Sequence, residues 1–290
     1  MESAYSAEAA AAVDRLLPRF GVPVARRWLA GADAHVHYLE AGAGPPVVLL
    51  HAGFGGAGNW YRTLGPLSRH YRVVAPDRPG YGLSRAGAAH DPVHWLDWFL
   101  AALGVGRAIL IGHVSGGALA LAYARARPAA VRALVLSDLQ LLPAASPAAP
   151  AEPLLAAEGS GALQDPEAWY AALTPCFDDP RLLAPEYLYY LWCLARFRPG
   201  QRQLPPGEAS PGPVPLASPR QAALPTVPML LVWGEDNPWT PVAMAQQLHR
   251  RLPQAWLRVI EHSRGMPSLE QPGEFNHAVL TFLQQRLGAS

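Results

Sequence analysis

The sequence contains no lysine, since all 23 of its basic residues are arginine. This absence excludes enzymes whose chemistry needs a lysine amine: Schiff-base aldolases, pyridoxal-phosphate enzymes and proteins with a Walker-type phosphate loop. An excess of positive charge is missing too, because 22 acidic residues leave a net charge of +1. We therefore expect no nucleic-acid partner, since nothing in this balance would follow a phosphate backbone.

Cysteines and long apolar runs are also scarce. We interpret Cys176 and Cys193, the only two cysteines, as buried small side chains rather than as a disulfide or a thiol nucleophile. No apolar run reaches the roughly 18 residues of a transmembrane helix. The early acidic residues Glu2, Glu8 and Asp14 do not fit a signal peptide. The sequence predicts a cytoplasmic protein without a membrane partner.

Hydrophobic residues make up 50% of the chain, which is enough for a sizeable core. Short β-branched runs alternate with amphipathic stretches of helix length, a pattern typical of a mainly parallel sheet covered by helices on both faces. The predicted fold class is therefore α/β. We expect strands at 24–30, 35–40, 47–51, 71–75, 108–111, 134–137, 229–233 and 257–261, and helices at 61–68, 92–103, 115–126, 241–252 and 275–286.

The alternation stops between residues 139 and 225. There, Pro- and Ala-rich segments bracket two aromatic stretches of helical character, DPEAWYAAL and PEYLYYLWCLARF. An excursion of this length between two strands is too long for a plain loop. We predict a core formed by residues 1–138 and 226–290, and a helical cap, or lid, formed by 139–225 over the carboxyl ends of the strands.

The segment AILIGHVSGGALALAYARARPAAVRALVLSD reads as a buried strand, a glycine-framed turn, a helix of small residues and a second strand. It resembles the nucleophile elbow of the α/β-hydrolase fold, where G-x-Ser-x-G places a serine on a strained turn. Other segments resemble, in the same order, the oxyanion loop of that family (LLHAGFGGAGNW), its next strand and turn (VVAPDRPGYGLS), its acid segment (VWGEDNPWTP) and its histidine segment (SRGMPSLEQPGEFN). The resemblance implies a mainly parallel eight-stranded sheet with a helical cap.

The resemblance also implies a serine, an acid and a histidine in chain order, and none stands in its place. Val114 occupies the nucleophile position, Asn237 the acid position and Gly265 the histidine position. Ser115 and Asp236 are each displaced by one residue, which makes Ser115 a poor alternative nucleophile. A valine cannot attack a carbonyl and a glycine cannot take a proton, so we predict a degenerate triad and no acyl-enzyme route.

Backbone groups of the family site are independent of these substitutions. The resemblance implies an oxyanion hole from the N–H groups of Gly53 and Ser115, and one such donor contributes about 3–4 kcal/mol. Asp138 ends the strand where dehalogenases of the family carry their acid; it is either a general base or a cap of the next turn. His262 and Arg264 are either a replacement base and an oxyanion-binding cation, or a solvated loop pair.

Aromatic side chains at helical spacing either form the core of a small cap or face a pocket for a large, planar or apolar ligand. The candidate substrate-binding residues are Phe54, Trp169, Tyr187, Tyr190, Trp192, Trp239 and Met266. We interpret His51 and His113 as supports of the oxyanion loop and the elbow. His35 and His37 share one strand face without a third ligand, so we predict no metal.

A second motif competes for the glycine-rich loop. Gly53, Gly55 and Gly58 spell G-x-G-x-x-G, and Asp77 follows at the end of the next strand, as in a dinucleotide-binding fingerprint. Two residues separate the strand from these glycines, however, and the hydrolase resemblance accounts for the whole stretch. We expect no cofactor.

Three functions remain compatible with these residues. The first is a cofactor-independent enzyme that catalyses proton transfer, elimination, cyclisation or carbon–carbon bond formation through an oxyanion-stabilised enolate, on a hydrophobic aromatic or polyketide-type natural product. The second is a non-catalytic protein that binds such a small molecule. The third is an esterase with a triad outside the family positions. The sequence-based hypothesis is the first.

Overall fold

The computed structural model describes residues 2–31, 35–85, 91–142, 163–196, 214–215 and 225–288. Within them, eight strands form one sheet in the order β1-β2-β4-β3-β5-β6-β9-β10, and β7 pairs with β8 separately. The strands are β1 (Ala25–Ala30), β2 (His35–Ala41), β3 (Pro46–Leu50), β4 (Arg72–Pro76), β5 (Ala108–His113), β6 (Val131–Ser137), β7 (Leu141–Leu142), β8 (Val214–Pro215), β9 (Met229–Gly234) and β10 (Trp256–Ile260).

Most of the sheet is parallel. β1 and β2 pair antiparallel, as do β2 and β4, whereas every pair from β4 to β10 along the sheet is parallel. This arrangement confirms the predicted α/β class. All eight predicted strands are present; β6 begins at Val131, earlier than predicted, because Val131 and Ala133 already pair with β5.

Helices lie on both sides of this sheet. They are α1 (Glu2–Leu16), α2 (Leu64–Ser68), α3 (Pro92–Ala102), α4 (Ser115–Ala126), α5 (Pro166–Leu173), α6 (Pro185–Arg196), α7 (Val242–Arg251), α8 (Pro267–Glu270) and α9 (Pro272–Leu287). The prediction of a helix from residue 61 was wrong at its start, because residues 57–60 form a 3-10 turn and α2 begins at Leu64. No helix was predicted at α1. Within the described residues, no helix is long and apolar enough to cross a bilayer.

Alternate residues of each central strand supply two separate apolar cores. In β3, Val47 and Leu49 belong to the core that includes α1, α6 and α9, whereas Val48 and Leu50 belong to the core that includes α3 and α4. This division follows from the two-residue period of a strand, which points successive side chains to opposite faces. Continuous apolar runs are therefore needed in the central strands, as the sequence has them.

The segment between β6 and β9 carries α5, α6 and the short β7–β8 pair. Its two helices pack on one another, and α6 also packs against α1. Buried side chains of this segment belong to the same core as the β3 face of Val47 and Leu49. Its role as a lid, with bounds 139–225, stays a prediction.

Asp165 caps the start of α5, since its Oδ1 accepts a hydrogen bond of 2.7 Å from the N–H of Ala168. We expect Asp165→Ala to lower the free energy of unfolding by about 1 kcal/mol, because the cap satisfies an otherwise unpaired helix N–H. Urea denaturation followed by circular dichroism measures this change. Asp165→Ser keeps a capping oxygen and should stay within a few tenths of a kcal/mol; an equal loss in both variants would contradict the role of the cap.

Candidate functional site

Val114 lies at the turn between β5 and α4 in a conformation that valine rarely adopts. Its φ is 47° and its ψ is −110°, and a β-branched residue at positive φ is a clear outlier. Neighbouring glycines explain how the turn forms: a Cβ on Gly116 would collide with the Leu50 carbonyl oxygen, and one on Gly112 would collide with the Gly116 carbonyl oxygen. The strand and the helix therefore approach too closely for side chains, and the strained backbone persists with an aliphatic side chain at its apex.

Asn237 has both ends of its amide engaged by protein groups. Its Oδ1 accepts hydrogen bonds of 3.0 Å from the N–H groups of Trp239 and Thr240, and its Nδ2 donates at 3.0 Å to Oδ1 of Asp138. The two N–H donors require an oxygen on their side, and a second carboxylate would face Asp138 on the other. A neutral amide is therefore the side chain that fits here.

Asp138 is fully buried behind Asn237, with a φ of 47°. Besides Asn237, the Gly234 N–H donates to its Oδ1 at 3.1 Å and the Ser137 hydroxyl donates to its Oδ2 at 3.2 Å. Burial raises the pKa of Asp138 to about 7, although these hydrogen bonds oppose the shift. The carboxyl group is thus poised near neutrality, but Asn237 separates it from the pocket described below.

Two buried histidines support the surrounding backbone. His113 Nε2 donates to the Gly265 carbonyl oxygen at 2.9 Å and lies 3.8 Å from Asp138 Oδ2. His51 donates from Nδ1 to the Ala52 carbonyl oxygen at 2.7 Å. Burial lowers the pKa of His113 to about 4 and that of His51 to about 3, so both rings are neutral at pH 7.

Trp239 occupies the space beside Gly265. A Cβ built on Gly265 would lie 3.1 Å from Cζ3 and 3.4 Å from Cε3 of the indole. The Gly265 N–H also donates to the Cys176 carbonyl oxygen at 2.9 Å, which joins this loop to the segment between β6 and β9. A larger side chain at position 265 therefore requires Trp239 to move.

Glu270, which the sequence analysis did not single out, holds the loop around Gly265. Its carboxylate accepts hydrogen bonds from the N–H groups of Arg264 and Met266 at 3.0 Å and from the Ser263 hydroxyl at 3.1 Å. The Asp178 N–H donates to it at 2.9 Å. Burial raises the pKa of Glu270, and these N–H donors oppose the shift. In the sequence, Glu270 stands in the segment SRGMPSLEQPGEFN, and its residue type alone did not indicate this role.

A small pocket brings together the three positions that the sequence analysis connected. It has a volume of about 10 Å³, close to the space of one water molecule. Its lining residues are Val114, Gln140, Asn237, Trp239, Thr240 and Gly265. Segments far apart in the sequence therefore meet at one place, above the carboxyl ends of β5 and β9.

The other candidate polar residues lie outside this pocket. The His262 side chain is 79% exposed, with Nδ1 3.9 Å from Asp178 Oδ2. Arg264 contacts Glu270 through its backbone N–H. Either side chain would have to move to reach the pocket, so the alternative of a solvated loop pair fits this arrangement better. Their catalytic role stays a prediction.

The candidate aromatic residues mainly join the segment between β6 and β9 to the core. The Tyr187 ring lies 5.3 Å from the Tyr61 ring at an interplanar angle of 38°, and the Tyr190 hydroxyl accepts a hydrogen bond of 3.0 Å from the Gly58 N–H. Trp169 lies 6.5 Å from Phe54, where both are fully buried. Met266 is buried as well, whereas Trp192 donates from Nε1 to the Gln164 carbonyl oxygen near the surface. Of the seven candidates, Trp239 lines the pocket; substrate binding by the others stays a prediction.

The hydroxyl of Ser115 faces an arginine that the sequence analysis missed. Arg78 is 1% exposed, and its Nη2 donates to Ser115 Oγ at 3.1 Å and to the Ala52 carbonyl oxygen at 2.9 Å. Burial lowers the pKa of this guanidinium. Among the described residues, no histidine hydrogen-bonds to Ser115 Oγ. Arg78 thus links the elbow to the loop that carries Gly53, where the proposed oxyanion donors stay a prediction.

Asp77 is used within the protein rather than presented to a ligand. Its Oδ2 contacts His37 Nδ1 at 2.7 Å and accepts from the Leu83 N–H at 2.8 Å, while Oδ1 accepts from the Ala57 N–H at 2.6 Å. Burial acts to raise the pKa of Asp77, but His37 and the two N–H donors outweigh it, and the net pKa is lowered. Asp77 therefore organises the glycine-rich loop, which argues against a ribose-binding role. Within the described residues, no group of three side chains is arranged to hold a metal ion.

The chain is similar to hydrolases along most of its length. Residues 45–180 match the family model of the alpha/beta hydrolase fold. The 2-hydroxy-6-oxo-6-phenylhexa-2,4-dienoate hydrolase of Burkholderia cepacia is 29% identical over 267 residues, covering 87% of this chain and 92% of that protein. Haloalkane dehalogenase 2 of Mycobacterium tuberculosis is 26% identical over 281 residues, covering 89% and 94%. The naproxen esterase structure from Bacillus subtilis superposes with a TM-score of 0.82 at 21% identity, covering 95% and 97%.

These similarities agree with the strand order and with the elbow-like turn between β5 and α4. They extend beyond the elbow to the strands on both sides of the segment between β6 and β9. The chain therefore has the α/β-hydrolase fold.

Proposed function

We propose that this chain is a pseudohydrolase, which binds a hydrophobic small molecule without cleaving it by attack from the elbow. The observation that carries the proposal is the position of Trp239. A Cβ on Gly265 would lie 3.1 Å from Cζ3 of its indole. The indole therefore packs against the position that a histidine side chain at residue 265 would need.

The nucleophile and the base are both missing under this proposal. Val114 has no lone pair, and the Ser115 hydroxyl accepts a hydrogen bond of 3.1 Å from Arg78 Nη2. His113 contacts a pocket-lining residue, but its Nε2 donates to the Gly265 carbonyl oxygen and burial lowers its pKa to about 4. A nitrogen that already donates cannot accept the proton of a nucleophile.

The class of ligand follows from the pocket lining and from the relatives. Val114, Trp239 and Gly265 present mainly apolar atoms, and Asn237 has its polar atoms engaged by the protein. The relatives include hydrolases named for a phenyl-substituted oxo-dienoate. We infer a hydrophobic, aromatic ligand with a carbonyl group, whose oxygen would meet the N–H groups of Gly53 and Ser115.

A second candidate function rests on Asp138. Its carboxyl has a pKa of about 7 and hydrogen-bonds to Asn237, a pocket-lining residue. A group that titrates near neutrality is suited to proton transfer. A cofactor-independent enzyme acting on an enolate of an aromatic or polyketide-type compound would use it, after Asn237 moves aside.

The purified protein is expected to hydrolyse p-nitrophenyl butyrate no faster than a heat-denatured sample and to remain unlabelled by a fluorophosphonate. The reason is that Val114 and Gly265, at the positions of the nucleophile and the base, have side chains that can neither attack a carbonyl nor take a proton. Incubation with 2-hydroxy-6-oxo-6-phenylhexa-2,4-dienoate should quench tryptophan fluorescence, and chromatography should recover the compound unchanged.

Ser115→Ala is the control for a displaced nucleophile. Ester hydrolysis that disappears in this variant would overturn the pseudohydrolase and support an esterase with an unusual triad. Conversion of the dienoate that survives Ser115→Ala but disappears in Asp138→Asn would support the second candidate instead. Absence of fluorescence quenching would contradict the inferred class of ligand.

A further inference from the structure

The N-terminal helix α1 lies against α6, a helix of the segment between β6 and β9. One face of α1 is apolar and buried, with Ala9, Val13 and Leu16 at 0–3% exposure. Leu16 and Tyr190 both pack on Gly58, since a Cβ there would lie 2.8 Å from Leu16 Cδ2 and 2.6 Å from Tyr190 Cζ. The apolar face of α1 thus covers α6 where α6 meets the glycine-rich loop.

Polar contacts fix the ends of the same interface. Arg19, in the 3-10 turn that follows α1, has its Nη2 2.8 Å from Glu186 Oε2 at the start of α6, and Arg196 Nη1 lies 3.2 Å from Glu8 Oε1 at the end of α6. The Arg15 guanidinium lies 4.8 Å from the ring centroid of Tyr189. Exposed ion pairs contribute little to stability but select one register of the two helices. The buried apolar face supplies most of the attraction.

The segment that carries α6 also closes onto the pocket. The Cys176 carbonyl oxygen accepts from the Gly265 N–H at 2.9 Å, and the Asp178 N–H donates to Glu270 at 2.9 Å. Gly265 is itself a pocket-lining residue. Cys176, beside the pocket, precedes the first residue of α6, Pro185, by about ten residues. A short stretch of chain therefore connects the helix that contacts α1 to the backbone beside the pocket.

We propose that α1 is a strap that holds α6, and with it the backbone of residues 176–178, shut over the pocket, and that its release is the step that opens the pocket to a ligand. The first sheet strand, β1, begins at Ala25, so α1 supplies no strand to the sheet; its polar contact with the sheet is through Arg26 of β1, whose Nη1 lies 2.6 Å from Asp14 Oδ1. The pocket holds about one water molecule with the strap in place, which is too small for an aromatic ligand. The interpretation of pocket opening as ligand entry rests on the proposed function, whereas the contact between α1 and α6 does not.

The two cysteines provide the readout. Cys193 lies on α6, close to Glu8 and Arg15. Cys176 accepts the hydrogen bond from the Gly265 N–H through its carbonyl oxygen. Both cysteines are 2% exposed, and neither forms a disulfide. A thiol reagent can therefore label Cys193 only after α1 leaves α6. It can label Cys176 only after the backbone at residue 176 moves away from the pocket.

Val13→Asp places a carboxylate in the buried face of α1, and Ala11→Asp places the same group on its exposed face. In the full chain, Val13→Asp should raise the labelling rate of both thiols about tenfold or more, because a buried unpaired charge disfavours the closed contact. Ala11→Asp should change it less than about twofold. Single-cysteine versions, Cys176→Ser and Cys193→Ser, assign each rate.

Hydrogen exchange of β5 separates strap release from general unfolding. The proposal requires the exchange of β5 to stay unchanged in Val13→Asp; equal acceleration in β5 and α6 would overturn it, as would labelling rates that do not rise. A rise at Cys193 without one at Cys176 would overturn the link to the pocket. None of these results depends on a ligand, so failure of the strap and failure of the pseudohydrolase proposal are distinguishable.

A milder variant keeps the test valid if Val13→Asp does not fold. Arg19→Glu opposes Glu186 and should raise labelling of Cys193 about two- to threefold. The exchanged pair Arg19→Glu/Glu186→Arg should restore the rate of the unaltered protein. If the exchanged pair does not restore this labelling rate, the contact between α1 and α6 does not control the exposure of Cys193.

Discussion

The triple variant Val114→Ser/Gly265→His/Trp239→Ala is expected to hydrolyse p-nitrophenyl butyrate at least about 100-fold faster than the unaltered protein. The turn at residue 114 already has the strained backbone that presents a side chain at the elbow, with a φ of 47°. Serine restores the nucleophile and histidine restores the base. The carboxyl of Asp138, buried behind Asn237, would then act as the acid.

Trp239 makes this prediction specific. The double variant Val114→Ser/Gly265→His should remain inactive, because the indole lies 3.1 Å from the Cβ position of residue 265 and would have to move to admit an imidazole. Labelling by a fluorophosphonate checks the serine directly, and Val114→Ala/Gly265→His/Trp239→Ala is the matched control. Activity of the double variant would contradict the closing role of Trp239. A folded but inactive triple variant would contradict the view that the backbone is still poised.

Asp138→Asn is expected to stabilise the protein at neutral and higher pH by up to about 4 kcal/mol. The pKa of Asp138 is raised from 3.8 to about 7 by burial, and roughly three pKa units at about 1.4 kcal/mol each give this limit. The folded state therefore holds a proton that the unfolded chain releases. Stability associated with neutral Asp138 is complete below pH 3.8 and is lost as the pH rises through about 7.

The measurement is the free energy of unfolding of both proteins between pH 4 and 8. The difference between them should be near zero at pH 4, should grow up to about pH 7 and should then level off. His51 and His113 have lowered pKa values, so each loses stability as the pH falls below 6.5, but this effect is common to both proteins. A difference that does not depend on pH would contradict a neutral Asp138, and a destabilised Asp138→Asn at pH 8 would indicate that His113 is charged and paired with it.

Much of the fold was predictable because its signals are local. The glycines around Val114 and the apolar runs of the central strands predicted the sheet and its turn before any coordinates. Helix α1 was missed, although alanine is the best helix former and Ala9, Val13 and Leu16 follow one helical face. The acidic residues of this stretch argued against a signal peptide but did not by themselves indicate a helix. The contacts of α1 with Glu186 and Tyr190, far along the chain, give this helix its role.

The site divides in the same way. Counting from motifs placed Val114, Asn237 and Gly265 at the family positions, and the structure brings all three to one pocket. Helical spacing left the aromatic residues either in the core of a cap or facing a pocket, and in the structure Tyr187 and Tyr190 contact Tyr61 and Gly58. Helical spacing indicates that residues share a face, but only the neighbouring segment decides what covers it.

The sequence by itself determined that Val114, Asn237 and Gly265 stand at the positions counted from the motifs and that glycines frame the turn at Val114, because both depend on residue identity and short-range spacing. Only the tertiary structure decided that Trp239 packs beside Gly265, that burial raises the pKa of Asp138 to about 7 and that α1 lies on α6. Each of these results depends on distances and burial among segments remote in the chain, and a linear pattern carries neither quantity.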